Sequence, residues 1–132
     1  MKRKMIVLAA ALLLLVSVVI PASEARAAMK DAYGSCFLTP SGKSVTFGGK
    51  TSSANVEDTI EVSATLWELR NGAWYAIASV SKSEQNSKSA KASKTVTVSG
   101  GYYYKVTAHH FAQTGSTSSS SNTHTSNTWI PN

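Results

Sequence analysis

Apolar and polar residues alternate along residues 59–69, and this alternation limits what the chain can fold into. The apolar positions are Ile60, Val62, Ala64 and Leu66, and the polar positions between them are Glu61, Ser63 and Thr65. Successive side chains of a β-strand point to opposite faces, so the pattern predicts a strand with one face on a core and the other in water. After residue 28 the apolar residues do not recur at helical spacing, which excludes a mainly helical fold.

Asn71 and Gly72 follow this strand directly. A two-residue type I′ turn needs positive φ at both central residues, and Asn-Gly is the pair that tolerates it best. The pair therefore predicts a β-hairpin with a return strand at residues 73–80. Both residues are assigned a structural role.

The hairpin register decides where two tryptophans lie. A two-residue turn would place Leu66 opposite Ile77 and Leu69 opposite Trp74, on opposite faces of the sheet. Either a bulge near the turn returns Trp74 to the core, or Trp67, Leu69 and Trp74 form a second apolar patch. The pattern leaves both alternatives open.

The remaining segments complete an all-β prediction. Further strands are expected at residues 44–51, 94–98 and 102–111, and a polar last strand after a turn near Gly115 ends at Trp129 and Ile130. Residues 81–93, rich in Ser and Lys, are interpreted as a mobile loop or a poorly ordered edge strand. Six or seven short strands with frequent turns predict an antiparallel β-sandwich over residues 44–132, preceded by an extended segment at 28–43.

The first 27 residues have the pattern of a secretory signal peptide. A basic start precedes an apolar run over residues 5–20, and Ala25-Arg26-Ala27 supplies small residues at a cleavage site. The run is shorter than the roughly 20 residues needed to span a bilayer. We therefore expect a secreted, extracellular product with no stable membrane anchor after cleavage.

Cleavage changes the electrostatics of the chain. Of 13 basic and 7 acidic residues, four basic and one acidic leave with residues 1–27, so the mature chain has nine basic and six acidic residues and a net charge of +3 instead of +6. This small excess gives no reason to expect a nucleic-acid partner. The single cysteine, Cys36, excludes an internal disulfide and is expected to be buried or packed at an edge and inert.

One segment resembles a known strand. Residues 104–108, which read Tyr-Lys-Val-Thr-Ala after a double-glycine turn, resemble the sixth strand of fibronectin type III and immunoglobulin-like domains. The resemblance implies that Tyr104 closes a corner by bonding to upstream backbone, with alternate residues of the strand in the core. It also implies that Trp67 or Trp74 takes the place of the core tryptophan.

A broader outline is similar to a family of short secreted proteins of Gram-positive bacteria without an assigned function. The shared parts are the signal peptide, a strand like residues 60–66, the sequence Asn71-Gly72-Ala73-Trp74 and the tyrosine-rich segment at 101–106. The resemblance covers about residues 44–130. Because its motifs are structural, it implies the fold and no activity.

Metal sites and cofactors are not expected. His109 and His110 are adjacent and must face opposite sides of a strand, whereas His110 and His124 would be cross-strand neighbours if the chain reverses near Thr117. That pair, the weak metal candidate, supplies only two ligands. The acidic residues within 55–61 supply too few oxygens for calcium and are interpreted as a solvated loop.

Catalysis is not expected either, which leaves binding. No helix is predicted after Cys36 to activate its thiol, and no G-x-S-x-G motif is present. The candidate ligand-binding residues are Tyr102, Tyr103, Trp67 and Trp129, while Tyr104 and Trp74 are assigned structural roles. Exposed rings among hydroxyl groups suit sugar faces or an apolar patch of another protein.

Two functions follow from this reasoning. The first is a secreted, non-catalytic protein that binds cell-envelope glycan or a surface protein. The alternative is a secreted, bacteriocin-like antagonist that acts on the membranes of competing cells. The lysines clustered within residues 82–94 suggest this alternative, because positive charge favours binding to anionic membranes.

Overall fold

The computed structural model describes residues 32–132, so the predicted signal peptide at 1–27 lies outside the described residues. The described chain forms antiparallel strands joined by short turns, which confirms the all-β prediction. The six strands are β1 (Tyr33–Ser41), β2 (Ser44–Arg70), β3 (Ala73–Thr97), β4 (Tyr102–Thr114), β5 (Thr117–His124) and β6 (Thr128–Ile130).

The long strands β2 and β3 bend and contribute to two layers. The three-stranded layer consists of β1, residues 44–52 of β2 and residues 89–97 of β3. The four-stranded layer consists of residues 57–70 of β2, residues 73–87 of β3, β4, and β5 extended by β6. Strand β1 packs against β4 and β5 without pairing with them, so the layers lie face to face. The fold is the predicted antiparallel β-sandwich of the immunoglobulin and fibronectin type III kind, with six strands.

Two segments differ from their sequence interpretation. Residues 81–93 are part of β3, so the loop alternative is wrong and the edge-strand alternative holds. A polar segment forms a strand here because β2 supplies backbone hydrogen-bonding partners along most of its length, whatever the side chains. Within 28–43, residues 33–41 form strand β1, which pairs with β2.

The alternation along β2 builds the core. The four predicted apolar positions from Ile60 to Leu66 face the interior and meet alternate residues of β4. The fully buried large side chains of the core include Phe47, Ile60, Leu66, Tyr104, Val106 and Ile130.

The hairpin turn has the predicted conformation, and its register is shifted by a bulge. Asn71 and Gly72 have φ values of 49° and 80°. Leu69 lies opposite Trp74 as predicted, but Leu66 lies opposite Ala78 rather than Ile77. The register shifts between Leu66 and Trp67, which leaves one extra residue, Ile77, on β3.

Neither Trp67 nor Trp74 enters the core, so the expectation of a core tryptophan is wrong. Trp67 alternates with the buried Leu66 and Glu68 and therefore faces outward. Trp74 shares the outward face because its cross-strand partner is Leu69. Of the two alternatives left open by the sequence, the structure shows the second apolar patch.

Tyr104 closes the corner between β3 and β4. Its buried hydroxyl lies 2.5 Å from the carbonyl oxygen of Ser99 and 2.6 Å from Oε2 of the buried Glu68. Nε of Arg70 donates to the other oxygen of Glu68, and the Arg70 guanidinium lies 5.8 Å from the centre of the Tyr102 ring. Burial, followed by the hydrogen bond to Glu68 and its charge, raises the pKa of Tyr104.

A second carboxylate, that of Glu57, is also buried. Glu57 is fully inaccessible, which corrects the interpretation of residues 55–61 as a solvated loop. The hydroxyl of Ser53 donates to Oε1 at 2.8 Å, and the hydroxyl of Thr114 donates to Oε2. Glu57 therefore ties the bend of β2 to the end of β4. Its neighbour Asp58 accepts from the backbone N–H of Gly115 at 2.7 Å.

Candidate binding face

The surface of the four-stranded layer that points away from the core carries most of the predicted site residues. The strand register aligns its side chains in rows across neighbouring strands. One row contains Ser81, Ser63, His109 and Asn122, and the next contains Ser79, Thr65, Thr107 and His124. We call this surface the outer face. It follows from the period of two along each strand, because every second residue must point away from the core.

The middle of the outer face is a groove of about 380 Å³, which we call the polar groove for the hydroxyl, amide and imidazole groups among its lining residues; carbon atoms form the larger part of its accessible surface. Its lining residues are Ser63, Thr65, Thr107, Ala108, His109, Asn122, Thr123 and His124. Hydroxyl, amide and imidazole groups therefore line one concave surface, and each of these groups can donate or accept hydrogen bonds. A second depression of about 230 Å³ shares Ser63 and His109 with the groove and extends to Glu61.

One end of the outer face is aromatic. Tyr103 and Trp129 are direct cross-strand partners, with ring centres 5.0 Å apart and planes at 61°. This edge-to-face geometry is favourable for two rings. Both side chains are exposed, at 45% for Tyr103 and 51% for Trp129. Together with Trp67, Leu69 and Trp74 they form what we call the aromatic end.

Two contacts hold the other rings of the aromatic end in place. Nε1 of Trp67 donates to Oγ1 of Thr107 at 2.8 Å, and Nζ of Lys105 lies 4.3 Å from the centre of the Trp74 ring. An ammonium group at this distance from an indole ring is attracted to its π face. Because Thr107 also lines the polar groove, Trp67 joins the aromatic end to the groove.

The structure separates the four candidate ligand-binding residues. Tyr103, Trp129 and Trp67 lie on the outer face, whereas Tyr102 lies on the core side of β4 beside Arg70. Tyr102 and Tyr104 are two residues apart on β4 and therefore point to the same side of the sheet, so the Tyr102 ring packs against the core. Sequence reasoning assigned Trp74 only a structural role, although its pairing with Leu69 was the signal that it shares this face.

The histidines do not form the metal pair that the sequence left as a weak candidate. The chain reverses at Gly115, earlier than Thr117, and the resulting register places His124 opposite Thr107. His110 therefore faces the core and His124 the outer face. Among residues 32–132, no group of three or more His, Cys, Asp or Glu side chains is arranged to hold a metal ion.

His110 is a core residue that bridges the layers. Its Nδ1 lies 2.8 Å from Oγ1 of Thr51 in the three-stranded layer, and its Nε2 lies 2.7 Å from Oγ1 of Thr123 on β5. The Thr51 hydroxyl donates its one hydrogen to the carbonyl of Glu61, so Nδ1 of His110 must be the donor in their bond. Burial, and to a smaller extent the charge of His109, lowers the pKa of His110.

Cys36 is half-buried on the core side of β1. Its Sγ lies 3.8 Å from the carbonyl oxygen of Val106, and it packs against the core. In the part of the chain that the structure describes, no helix has the length and apolar character needed to cross a membrane.

Comparison with known proteins adds little to this description. No protein-family model and no curated protein matches the chain. The solution structure of CsgH from R. palustris matches with a TM-score of 0.43 and 12% sequence identity, over 69% of this chain and 89% of CsgH. At this distance neither the fold nor the role of CsgH is transferred to this chain. Membership in a family of short secreted Gram-positive proteins stays a prediction.

Proposed function

We propose that the mature chain is a secreted, non-catalytic β-sandwich that binds a cell-envelope glycan through its outer face. The observation that supports this most directly is the exposed ring pair of Tyr103 and Trp129 on the same face as the polar groove. The predicted signal peptide supplies the export, since residues 1–27 carry its basic, apolar and small-residue segments in order.

The two parts of the outer face fit the two kinds of surface that a sugar presents. A pyranose ring has an apolar C–H face, which packs on an aromatic ring, and a rim of hydroxyl groups, which need hydrogen-bonding partners. On this surface the rings of the aromatic end would take the C–H face of one residue. The hydroxyl, amide and imidazole groups of the polar groove would then meet the hydroxyl groups of residues further along the same glycan chain.

Glycan is favoured over a surface protein because of how the rings are held. The hydrogen bond from Trp67 to Thr107 and the contact between Lys105 and Trp74 fix two side chains before any ligand arrives. Preorganised rings lose little conformational entropy on binding. A surface of fixed rings suits a small, rigid ligand with repeated units, because each unit can make the same few contacts without rearranging the protein.

The proposal is tested by retention on purified bacterial cell wall, followed by a glycan array. We expect Tyr103→Ala and Trp129→Ala each to weaken retention by about tenfold, a typical cost of truncating an aromatic residue that contacts the ligand. The matched control is Tyr33→Ala, which removes a ring that is 67% exposed on the outside of the three-stranded layer.

Either of two results would contradict the proposal. One is wild-type retention of both outer-face variants, and the other is an equal loss in the Tyr33→Ala control. Thermal unfolding of each variant shows whether a loss of retention reflects a loss of fold. Tyr103 and Trp129 are exposed, so we expect all three variants to remain folded.

A further inference from the structure

Charge is divided between the two layers of the sandwich. Every acidic residue of the described chain lies in the four-stranded layer or at its bend: Glu57, Asp58, Glu61, Glu68 and Glu84. Residues 33–52 and 88–97, which contain the three-stranded layer, hold lysines and no carboxylate side chain. These lysines are Lys43, Lys50, Lys88, Lys91 and Lys94, and all five are exposed.

In the part of the chain that the structure describes, the lysines of the three-stranded layer form no ion pair. Within residues 32–132 the ion pairs are Arg70 with Glu68 and Lys82 with Glu84, and both lie in the four-stranded layer. Among the described residues, positive charge is therefore concentrated in the three-stranded layer, with Lys50 and Lys91 on its outward surface and Lys88 and Lys94 at its rim. A surface of one sign attracts ligands of the opposite sign and speeds their association.

Two of these lysines stand directly opposite each other. Lys50 on β2 pairs in register with Lys91 on β3, and both side chains point outward from the three-stranded layer. Like charges at directly opposed positions destabilise a sheet. Nζ of Lys91 also lies 5.8 Å from the centre of the Phe37 ring on β1, which holds it over the middle of the surface.

Hydroxyl groups lie on the same surface as the lysine pair. Ser35 of β1 lies beside Lys50 in the same row, and the hydroxyls of Thr46 and Thr95, four positions away from the pair along β2 and β3, lie 2.8 Å apart. Ammonium and hydroxyl groups are donors that bind phosphate oxygens. Because the groups are spread over three strands, they would meet successive anions of an extended ligand.

We propose that the outward surface of the three-stranded layer binds a phosphate-bearing anionic polymer. An anion placed between Lys50 and Lys91 removes the repulsion that the pair otherwise imposes on the sheet. The site lies on the opposite side of the molecule from the outer face, so this binding is independent of the proposed glycan site. A chain with both would contact the envelope through a neutral sugar on one side and a polyanion on the other.

The test uses labelled inorganic polyphosphate as the probe and fluorescence anisotropy as the measurement. We expect Lys50→Gln and Lys91→Gln each to weaken binding by about fivefold, in line with the contribution of one lysine near an anionic surface. The double variant should also reduce the dependence of log K on log salt by about one to two. The matched control is Lys82→Gln, which makes the same change of net charge in the four-stranded layer.

Two sources of phosphate are then compared. Vesicles of phosphatidylglycerol present the same charge as lipid headgroups, and phosphatidylcholine vesicles serve as their control. Tighter binding to phosphatidylglycerol than to polyphosphate, or dye release at micromolar protein, would overturn the proposal in favour of a membrane surface. An equal loss of polyphosphate binding in Lys82→Gln, or no binding by the wild type, would overturn it outright.

Two further measurements separate loss of phosphate binding from loss of the glycan site and from unfolding. The Tyr103→Ala variant should keep wild-type affinity for polyphosphate, which separates failure of this proposal from failure of the glycan proposal. Lys50→Gln should unfold at a urea concentration equal to or higher than that of the wild type, because it removes a like-charge pair. Weaker binding by a variant that remains this stable cannot result from unfolding.

Discussion

A single hydroxyl hydrogen on Tyr104 has two acceptors, the Ser99 carbonyl and the Glu68 carboxylate. The carboxylate also accepts from Arg70, so the tyrosine lies at the centre of a network that joins the start of β4 to the end of β2. Buried polar groups of this kind cost stability when a partner is removed, because the remaining group stays desolvated.

We expect Tyr104→Phe to lower the free energy of unfolding by about 1–3 kcal/mol. The substitution keeps the ring and leaves the Ser99 carbonyl and Glu68 without the hydroxyl. Urea unfolding monitored by circular dichroism measures the change. Tyr103→Phe is the control, since it removes a hydroxyl from an exposed ring and should change stability by less than about 0.5 kcal/mol. Equal effects of the two substitutions would contradict the assigned role.

The orientation of single residues was predictable where the alternation of side chains along a strand, or the resemblance to a known tyrosine corner, determines it. Parity separates Tyr103 from Tyr102, and the resemblance of residues 104–108 to a fibronectin strand identified Tyr104. The buried carboxylates of Glu57 and Glu68 were not predictable, because each is stabilised by partners from distant parts of the chain. Thr114 lies 57 residues from Glu57, and no local sequence pattern predicts the hydrogen bond between them.

At the scale of elements, the turn between β2 and β3 depends on backbone conformation. Gly72 has φ of 80°, in the left-handed region where a Cβ is unfavourable. The space around it is open, with no atom within 4 Å of the position a Cβ would take, so conformation alone sets the cost of a side chain.

We expect Gly72→Ala to lower the free energy of unfolding by about 1–2 kcal/mol, the cost of the left-handed conformation for a residue with a Cβ. Denaturant unfolding measures it. Asn71→Gly is the matched control, because it keeps positive φ accessible at the adjacent position and should stay within about 0.5 kcal/mol of the wild type. A neutral Gly72→Ala variant would show that the turn relaxes to another type.

Elements were predictable where side chains alternate and not where the backbone alone decides. Residues 59–69 show their strand in sequence, since one face is buried. Residues 81–93 do not show their strand in the sequence. An edge strand pairs its backbone on one side only and buries few side chains, so its residues need not alternate between apolar and polar. The continuation of β2 through both layers was also missed, because the pairing register shifts between Ser52 and Glu57 and the alternation is interrupted there.

At the scale of the whole molecule, His110 links the two layers through Thr51 and Thr123. Its lowered pKa means that the folded chain binds this proton less readily than the unfolded chain, whose imidazole titrates near the ordinary value of about 6.5. Unfolding therefore takes up a proton below that pH. It follows that the stabilising effect of the neutral imidazole is complete above about pH 6.5 and is lost as the pH falls.

We expect the free energy of unfolding to fall as the pH decreases below about 6.5, with a slope of at most about 1.4 kcal/mol per pH unit from this group. Urea unfolding at a series of pH values gives the slope. The His110→Gln variant should lose this component, whatever its absolute stability, and His124→Gln should keep it. The same slope in His110→Gln as in the wild type would contradict the assignment.

The 25-residue strand β3 pairs only with β2, so the other edge of its backbone has no strand partner among the described residues. Its Lys82 and Lys94 lie on the core-facing side of the strand, opposite the buried Val62 and Phe47, yet their side chains remain exposed at the rim. A second molecule that docked its own strand there would have to desolvate those ammonium groups. These lysines therefore oppose edge-to-edge pairing of β3 with a second molecule, and neutralising both is expected to increase aggregation.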